Sequence, residues 1–306
     1  MQESKIKNYL LLHLIVFIWG FTAILGALIT IDAVPLVWFR MGLAVIIIVI
    51  YFVLKKKSFR LDQKGIIKFL FTGGIIALHW VFFFKAIKMS NVSVAMVAMS
   101  TGAFFTALIE PIFFKRRMKF IEIILGLIVI FGLYIIFDNF EVAQYKAGII
   151  YALIASFLGS LFAVLNGLYV KQYEADVISL YQLLFGVLFI TGYLFYSGSF
   201  SLEFFKLSQL DWLYLFILSS ICTAYAFIIS VKVMKYISPY TVMLTINLEP
   251  IYAIILALFI FGDKEKMNSE FYYGAFIVLF VVLLNGIFKN RVILKNKFSK
   301  KKCSKN

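Results

Sequence analysis

Residues 231–267 decide the fold, and they read VKVMKYISPYTVMLTINLEPIYAIILALFIFGDKEKM. The apolar run inside this stretch has about twenty residues, which is the length that an α-helix needs to cross a membrane. Glu249 and Pro250 lie in the middle of that run. An ionisable group in hydrocarbon is costly and usually functional, and a proline frees backbone groups that a neighbouring helix or a wet cavity must satisfy. The stretch therefore predicts a membrane protein with an internal polar site.

The composition extends this prediction from one stretch to the whole chain of 306 residues. Apolar residues make up 63% and charged residues 15%, whereas soluble domains are about 45–50% apolar and about 25% charged. A soluble globular protein is therefore excluded. The net charge of +15 does not indicate nucleic-acid binding, because the basic residues lie between the apolar runs and in the tail, as membrane topology signals do.

Apolar runs of spanning length recur along the chain with short connections. We place ten of them, at about 9–29, 35–54, 66–87, 92–114, 121–137, 147–170, 177–196, 212–231, 239–261 and 272–288. The chain has two cysteines and two histidines, too few for a disulfide framework or for most metal sites. It also lacks the G-x-x-x-x-G-K-S/T loop that binds ATP. The sequence therefore predicts an all-α membrane protein with ten transmembrane helices, no cofactor and no metal.

The distribution of lysine and arginine predicts the orientation. If the N-terminus is cytoplasmic, the inside segments contain 23 basic residues and the outside segments contain 6. Cytoplasmic loops of membrane proteins carry an excess of lysine and arginine. We therefore expect a multi-pass protein of the bacterial cytoplasmic (inner) membrane with both termini in the cytoplasm.

The two halves of the chain show a weak internal repeat. A shift of 147 residues places Lys85 and Lys88 on Lys232 and Lys235. Each unit contains five helices, and because five is odd the second unit enters the membrane with the opposite topology. Inverted five-helix repeats are typical of secondary transporters, which bind their solute near the midplane. The predicted organisation is a first repeat at 1–140 (helices 1–5), a second at 141–290 (helices 6–10) and a basic cytoplasmic tail at 291–306.

The second half resembles a known family. The run TINLEPIYAIILALFIFGD at 245–263, followed by a polar turn and FYYGAFIVLFVVLLNG, is similar to the EamA-type branch of the drug/metabolite transporter superfamily. Matching residues in the first half are Trp19-Gly20, Pro35, Arg40 and Lys85-Ala86. The resemblance implies a ten-helix permease with inverted repeats that exports amino acids or other metabolites by alternating access.

The first repeat departs from the family pattern. It has Lys115-Arg116-Arg117 where the family usually has a glycine followed by an acid, and Gly102-Ala103 stands opposite Glu249-Pro250. We therefore expect the two repeats to differ in function around the Glu-Pro position.

Glu249 is the first candidate site residue. It lies about ten residues into its predicted helix, hence about 15 Å from the helix end and near the midplane. A buried carboxylate there either lines the cavity and binds a proton or an amine, or it accepts hydrogen bonds from a neighbouring helix beside a proline kink. Both interpretations stay open on the sequence alone.

His79 and Trp80 lie in the middle of the third run, and Arg40 follows Pro35 in the second. A central histidine serves either as a proton relay or as a hydrogen-bonded packing residue. Three roles stay open for Arg40: it binds a carboxylate or phosphate of the solute, it extends its charge to the membrane interface, or it pairs with a helix end.

Polar and aromatic residues near the midplane complete the candidate set, because tryptophan and tyrosine otherwise gather at the membrane interfaces. The predicted substrate-binding or coupling residues are Glu249, His79, Trp80, Trp19, Arg40, Tyr225 and Asn247. No catalytic residue is predicted.

We expect a secondary-active transporter rather than an enzyme, with a small-molecule solute, membrane lipids and a coupling proton as partners and no nucleic acid. Its predicted state is a monomer or a homodimer. The alternative is a polytopic membrane enzyme acting on lipid or peptide, which needs a nucleophile–base pair or a metal cluster that does not stand out here.

Overall fold

The structure is a computed structural model that describes residues 2–115, 120–137, 144–246, 248–281 and 284. All regular elements among these residues are helical, so the predicted all-α class is confirmed. The α-helices are α1 (Gln2–Leu28), α2 (Ala33–Leu54), α3 (Gln63–Met89), α4 (Val92–Met99), α5 (Gly102–Phe113), α6 (Phe120–Phe137), α7 (Lys146–Tyr169), α8 (Ala175–Tyr196), α9 (Gln209–Ser219), α10 (Ala226–Val233), α11 (Pro239–Ile246), α12 (Glu249–Phe261) and α13 (Ser269–Val281). A π-helix (Ser220–Tyr225) joins α9 to α10, and 3-10 turns cover Glu203–Phe205 and Gly262–Glu265.

Seven helical segments of the described residues are long and apolar enough to cross a membrane. They are α1, α2, α3, the pair α4–α5, α7, α8, and the run from α9 through the π-helix to α10. The other three predicted runs correspond to α6, to the pair α11–α12 and to α13. A multi-pass helical protein is therefore confirmed, and ten complete spans remain a prediction.

One spanning segment is interrupted between α4 and α5, at Ser100 and Thr101. The hydroxyl of Ser100 donates to the carbonyl of Val97 at 2.6 Å, and that of Thr101 donates to the carbonyl of Ala98 at 2.7 Å. Local hydroxyl-to-carbonyl bonds of this kind compete with the helical pattern. The same two carbonyls also accept from the backbone amides of Ser100 and Thr101, at 3.2 and 3.3 Å, so the backbone at the interruption keeps hydrogen-bond partners within the protein.

A second interruption corrects the expectation of a kinked continuous helix around Glu249. The helix ends at Ile246 and a new one begins at Glu249, with Pro250 in its first turn. Proline is tolerated there because the amides of the first turn have no partner within the helix. Glu249 therefore begins a helix instead of lying in the middle of one.

The two interruptions occupy matching places in the two halves. The shift of 147 residues takes the first residue of α4, Val92, to the first residue of α11, Pro239. It also takes Gly102, where α5 begins, to Glu249, where α12 begins. The glycine opposite the Glu-Pro pair thus performs the same backbone task, restarting a helix, without supplying a carboxylate.

The connections meet in two separate groups. The first, which we call the basic end, comprises the loops that follow α2, α7 and α10. Lys57 forms an ion pair with Asp176 there, and Lys235 Nζ lies 3.1 Å from a carboxylate oxygen of Glu174. The hydrogen bond to Asp176 raises the pKa of Lys57 above its usual value. These loops belong to the segments that the lysine and arginine count places inside.

The second group, the Asp211 end, joins the loops that follow α1 and α3 to the start of α9. The Asp211 carboxylate accepts from the backbone amide and the hydroxyl of Thr30, both at 2.7 Å. Lys88 Nζ donates to the carbonyl of Ile29 at 2.8 Å. The predicted outside segments thus meet one another here, so the helices alternate between the two ends.

Close helix packing is clearest between α6 and α13. A Cβ added to Gly274 would lie 2.8 Å from the carbonyl oxygen of Gly132, and one added to Gly132 would lie 2.9 Å from Val278. Small residues let helix backbones approach inside a membrane, where packing takes over much of the role of the hydrophobic effect. Glycine is therefore required at this crossing.

Glu265 ties the loop after α12 to the beginning of α4. Its side chain is buried, with 4% of its surface exposed. Its carboxylate oxygens accept from the backbone amides of Val92 at 2.9 Å and Ser93 at 2.8 Å. Amides at the start of a helix lack internal partners and favour a negative charge. One acid thus links the second half of the chain to the interrupted helix of the first.

We expect Glu265→Ala to lower stability by about 1–3 kcal/mol, because it leaves two buried amides without an acceptor. The measurement is the apparent Tm of the purified protein in detergent. Glu270→Gln is the matched control, since Glu270 is exposed near the start of α13. Equal Tm values for Glu265→Ala and the control would contradict this role.

Candidate functional site

A cavity of about 100 Å³ lies where the interrupted helices meet α1, α2, α3, α7 and α10. A buried water needs only about 10–15 Å³ of such space, so there is room for several waters or a small solute. The lining side chains are mainly aromatic, aliphatic and sulfur-containing, with a few polar and charged groups. They are Trp19, Thr22, Arg40, His79, Trp80, Phe83, Met96, Met99, Gly102, Ser156, Gly159, Phe162, Ala163, Asn166, Phe227, Ser230, Met234, Met243, Ile246, Glu249 and Pro250.

Both helix interruptions open onto this cavity. Met99 and Gly102 flank the first, and Ile246 and Glu249 flank the second. Non-helical backbone at membrane depth is tolerated where it is buried in protein or lines a cavity. The position of the cavity therefore follows from the backbone as well as from the side chains.

Arg40 is the buried cation of the site, with 1% of its surface exposed. Its Nε donates to Thr223 Oγ1 at 2.6 Å, and its guanidinium lies 4.0 Å from the centre of the Trp80 ring. One terminal nitrogen, NH1, has no hydrogen-bond partner. The guanidinium is thus held on two sides and retains an unused donor beside the cavity.

The π-helix supplies the hydrogen-bond partner that fixes Arg40. The Thr223 hydroxyl donates to the carbonyl of Leu218 at 2.7 Å, so its oxygen is left to accept from the arginine. Trp19 Nε1 donates to the carbonyl of Cys222 at 3.0 Å, which ties α1 to the same turn. Single π-turns within α-helices occur frequently at functional sites.

Glu249 shares the cavity with Arg40. No salt bridge within 4 Å joins them among the side chains that the structure describes. Glu249 also stands in the first turn of α12, where the helix dipole favours a negative charge. The site therefore places an acidic and a basic side chain around one space without direct contact.

His79 has a defined tautomer in its neutral form. Its Nδ1 lies 2.6 Å from the carbonyl oxygen of Ala155, and a carbonyl oxygen only accepts, so the proton is on Nδ1. The lone pair of Nε2 is then available to accept a proton or a hydrogen bond. Phe162 packs edge-on against the ring at a centroid distance of 5.2 Å. His79 is therefore a hydrogen-bonded packing residue on the cavity wall, and its role as a proton relay stays a prediction.

Five of the seven predicted site residues lie on the cavity wall: Trp19, Arg40, His79, Trp80 and Glu249. Asn247 lies outside the described residues. Tyr225 is not on the wall, and 43% of its surface is exposed on the outside of the protein. The inward face of this segment contains Thr223 and Phe227, and a residue two positions from each points to the opposite side of a helix.

Several lining residues were missed because their types carry no charge signal. Four of the nine methionines, Met96, Met99, Met234 and Met243, line the cavity. Asn166 also lines it and is completely buried. As a polar amide in an apolar run, Asn166 can be singled out from the sequence beside Asn247, but it is not among the seven predicted site residues. The described residues contain no group of three metal-ligating side chains.

Gly159 leaves the space that His79 occupies, and Gly159→Ala tests that contact. The added Cβ would lie 2.9 Å from Cε1 and 3.1 Å from Nδ1 of His79. Displacing the ring breaks its bond to Ala155, so we expect a loss of about 1–3 kcal/mol and a drop in transport. Gly192→Ala is the control, since no atom lies within 4 Å of its added Cβ. Wild-type Tm and transport in Gly159→Ala would contradict this packing.

Comparison with known proteins identifies the family. The chain is 22% identical over 203 residues to an uncharacterized transporter of Archaeoglobus fulgidus, covering 66% of this chain and 69% of that protein. A crystal structure of another protein has the same fold, with a TM-score of 0.67 at 12% identity over 94% of this chain and 98% of that one. The model of the EamA-like transporter family matches residues 6–138 and again 146–287. The resemblance noted in the sequence is thereby confirmed: this chain belongs to the EamA-like transporter family.

Proposed function

We propose that this protein is a secondary-active transporter that moves a small organic solute across the cytoplasmic membrane by alternating access. Membership of the EamA-like transporter family indicates membrane transport of small solutes. The observation that carries the finer proposal is the central cavity, where two interrupted helices meet around Arg40 and Glu249. Metabolite or amino-acid export is the task that the family resemblance favours.

Two observations support a pair of inverted five-helix repeats. The family model matches the chain twice in succession, and both interrupted helices begin and restart at positions 147 residues apart. Broken helices facing a midplane site are a recurrent feature of inverted-repeat transporters. We therefore propose repeats at 1–140 and 141–290, followed by the basic tail at 291–306.

Alternating access requires that each end of the protein open in turn. The basic end is held by ion pairs such as Lys57–Asp176, and the Asp211 end by bonds from Thr30 to the Asp211 carboxylate. Water can replace such polar contacts at modest net cost. Opening one set while the other stays closed would expose the cavity to one side at a time. We place the basic end in the cytoplasm, following the lysine and arginine bias.

Glu249 is the proposed carrier of a coupling proton. Among the described residues it is the one acid on the cavity wall, and it has no counterpart at the matching glycine of the first half. A proton taken up by Glu249 changes the net charge of the cavity by one unit. Solute binding and proton binding are thereby linked. The Nε2 lone pair of His79 offers a second position for a proton on the same wall.

Reconstitution into proteoliposomes tests the proposed function. Saturable counterflow of labelled solutes, with and without a pH gradient, is the result expected for a carrier. Ohmic current would indicate a channel, and formation of a chemically altered lipid or peptide would indicate a membrane enzyme. Either result in place of counterflow overturns the proposal.

We expect Glu249→Gln to abolish accumulation driven by a pH gradient while leaving solute exchange in place, because the amide does not carry the coupling proton. Uptake is measured with and without the gradient, and folding is checked by gel filtration. Glu203→Gln is the control, since Glu203 lies in an exposed turn between α8 and α9. Wild-type gradient-driven uptake in Glu249→Gln would assign Glu249 a structural role.

A further inference from the structure

Asn166 lies on the part of the cavity wall that faces the basic end. It lies three residues before α7 ends at Tyr169, whereas Arg40 lies seven residues into α2 from the Asp211 end. Its side chain is completely buried, and its Nδ2 has no hydrogen-bond partner. Buried amide groups are normally paired, so an unpaired one needs an explanation. The cavity beside it is where the missing acceptor would be.

A chain of hydrogen bonds fixes which atom of Asn166 is left unpaired. The Thr72 hydroxyl donates its single proton to the carbonyl of Lys68 at 2.8 Å. The Thr72 oxygen must then accept from Gln182 Nε2, which lies 2.9 Å away. The same Nε2 donates to Asn166 Oδ1 at 2.6 Å. With Oδ1 engaged, the amide of Asn166 has only its donor, Nδ2, left for another partner.

If the side-chain amides of Asn166 and Gln182 were both turned over, the network would contain one hydrogen bond fewer. Turning both amides over would present Asn166 Oδ1 in place of Nδ2, and Gln182 would then accept from the Thr72 hydroxyl. That hydroxyl would have to abandon the carbonyl of Lys68, so one hydrogen bond would be lost. Orientations of amide groups are assigned from such networks. Gln182, on the far side of Oδ1, does not line the cavity.

We propose that Asn166 Nδ2 donates a hydrogen bond to an acceptor oxygen of the transported solute, which makes Asn166 a specificity-determining residue. The inference rests on the proposed transport function and adds a second point of recognition, on the opposite side of the cavity from Arg40. The solutes that fit are those with a carbonyl, carboxylate or hydroxyl oxygen. A solute without oxygen gains nothing from this contact. The Thr72–Gln182 pair positions the amide and does not itself touch the solute.

The test is counterflow in proteoliposomes with five labelled probes: L-threonine, L-methionine, succinate, uridine and putrescine. The last has no acceptor oxygen. For each probe that the wild type exchanges, KM and Vmax are compared with those of Asn166→Ala and of Asn166→Asp, which keeps an oxygen facing Gln182. Ser219→Ala is the matched control, because Ser219 Oγ is also buried and unpaired but lies away from the cavity.

We expect Asn166→Ala and Asn166→Asp to raise KM about tenfold for oxygen-bearing probes, as for the loss of one buried hydrogen bond, with Vmax within about twofold of wild type. Putrescine exchange by Asn166→Ala, and the exchange of every probe by the Ser219→Ala control, should keep the wild-type KM. An unchanged KM, or a fall in Vmax alone, overturns the inference while leaving the transport function intact. A wild type that exchanges none of the probes overturns the proposed function and this inference with it. If Asn166→Ala does not fold, the KM values of the isosteric variant Asn166→Asp for the oxygen-bearing probes decide between these outcomes.

Discussion

A guanidinium buried inside a membrane protein must obtain from its neighbours the interactions that water would supply. Insertion scales put the cost of an arginine at the centre of a spanning helix at about 2.5–3.5 kcal/mol. A desolvated cation–π contact contributes about 2 kcal/mol, and a hydrogen bond to a charged group about 1.5–3 kcal/mol. The face of Trp80 and the hydroxyl of Thr223 provide those two contacts for Arg40, so the charge is tolerated inside the membrane.

This requirement shapes the backbone around the site. Thr223 can accept from Arg40 because it lies in a π-turn and directs its own proton to Leu218. Across the cavity, a helix restarts at Glu249, which brings a carboxylate and the positive end of a helix dipole towards the same space. Irregular backbone and buried charge therefore occur together. The irregular backbone is tolerated in the membrane because it lines the cavity, and the buried charge is tolerated because groups of the irregular segment bind it.

The sequence predicted the features that depend on composition and period, and it failed where local backbone geometry decides. The apolar runs predicted the helical class. Isolated charged or aromatic residues in those runs, such as Arg40 and His79, predicted positions that do line the cavity. The pattern could not reveal that a π-turn sets the inward face of its segment, so Tyr225 was placed on the wrong side. It also placed Glu249 in the middle of a helix instead of at the beginning of one. A proline that kinks a helix and a proline that begins a helix look alike in a linear sequence.

The four methionines around the cavity have a consequence for the range of solutes. Methionine is unbranched, has three rotatable bonds and refills irregular gaps easily, so it adapts to surfaces of different shape. Met99 and Met243 come from the interrupted helices, and Met234 closes the wall beyond α10. If the cavity binds the solute as proposed, adaptable methionines beside a few fixed polar atoms favour recognition of functional groups over recognition of molecular shape. Selection by chemistry with tolerance of shape is the behaviour of a carrier that serves a set of related compounds.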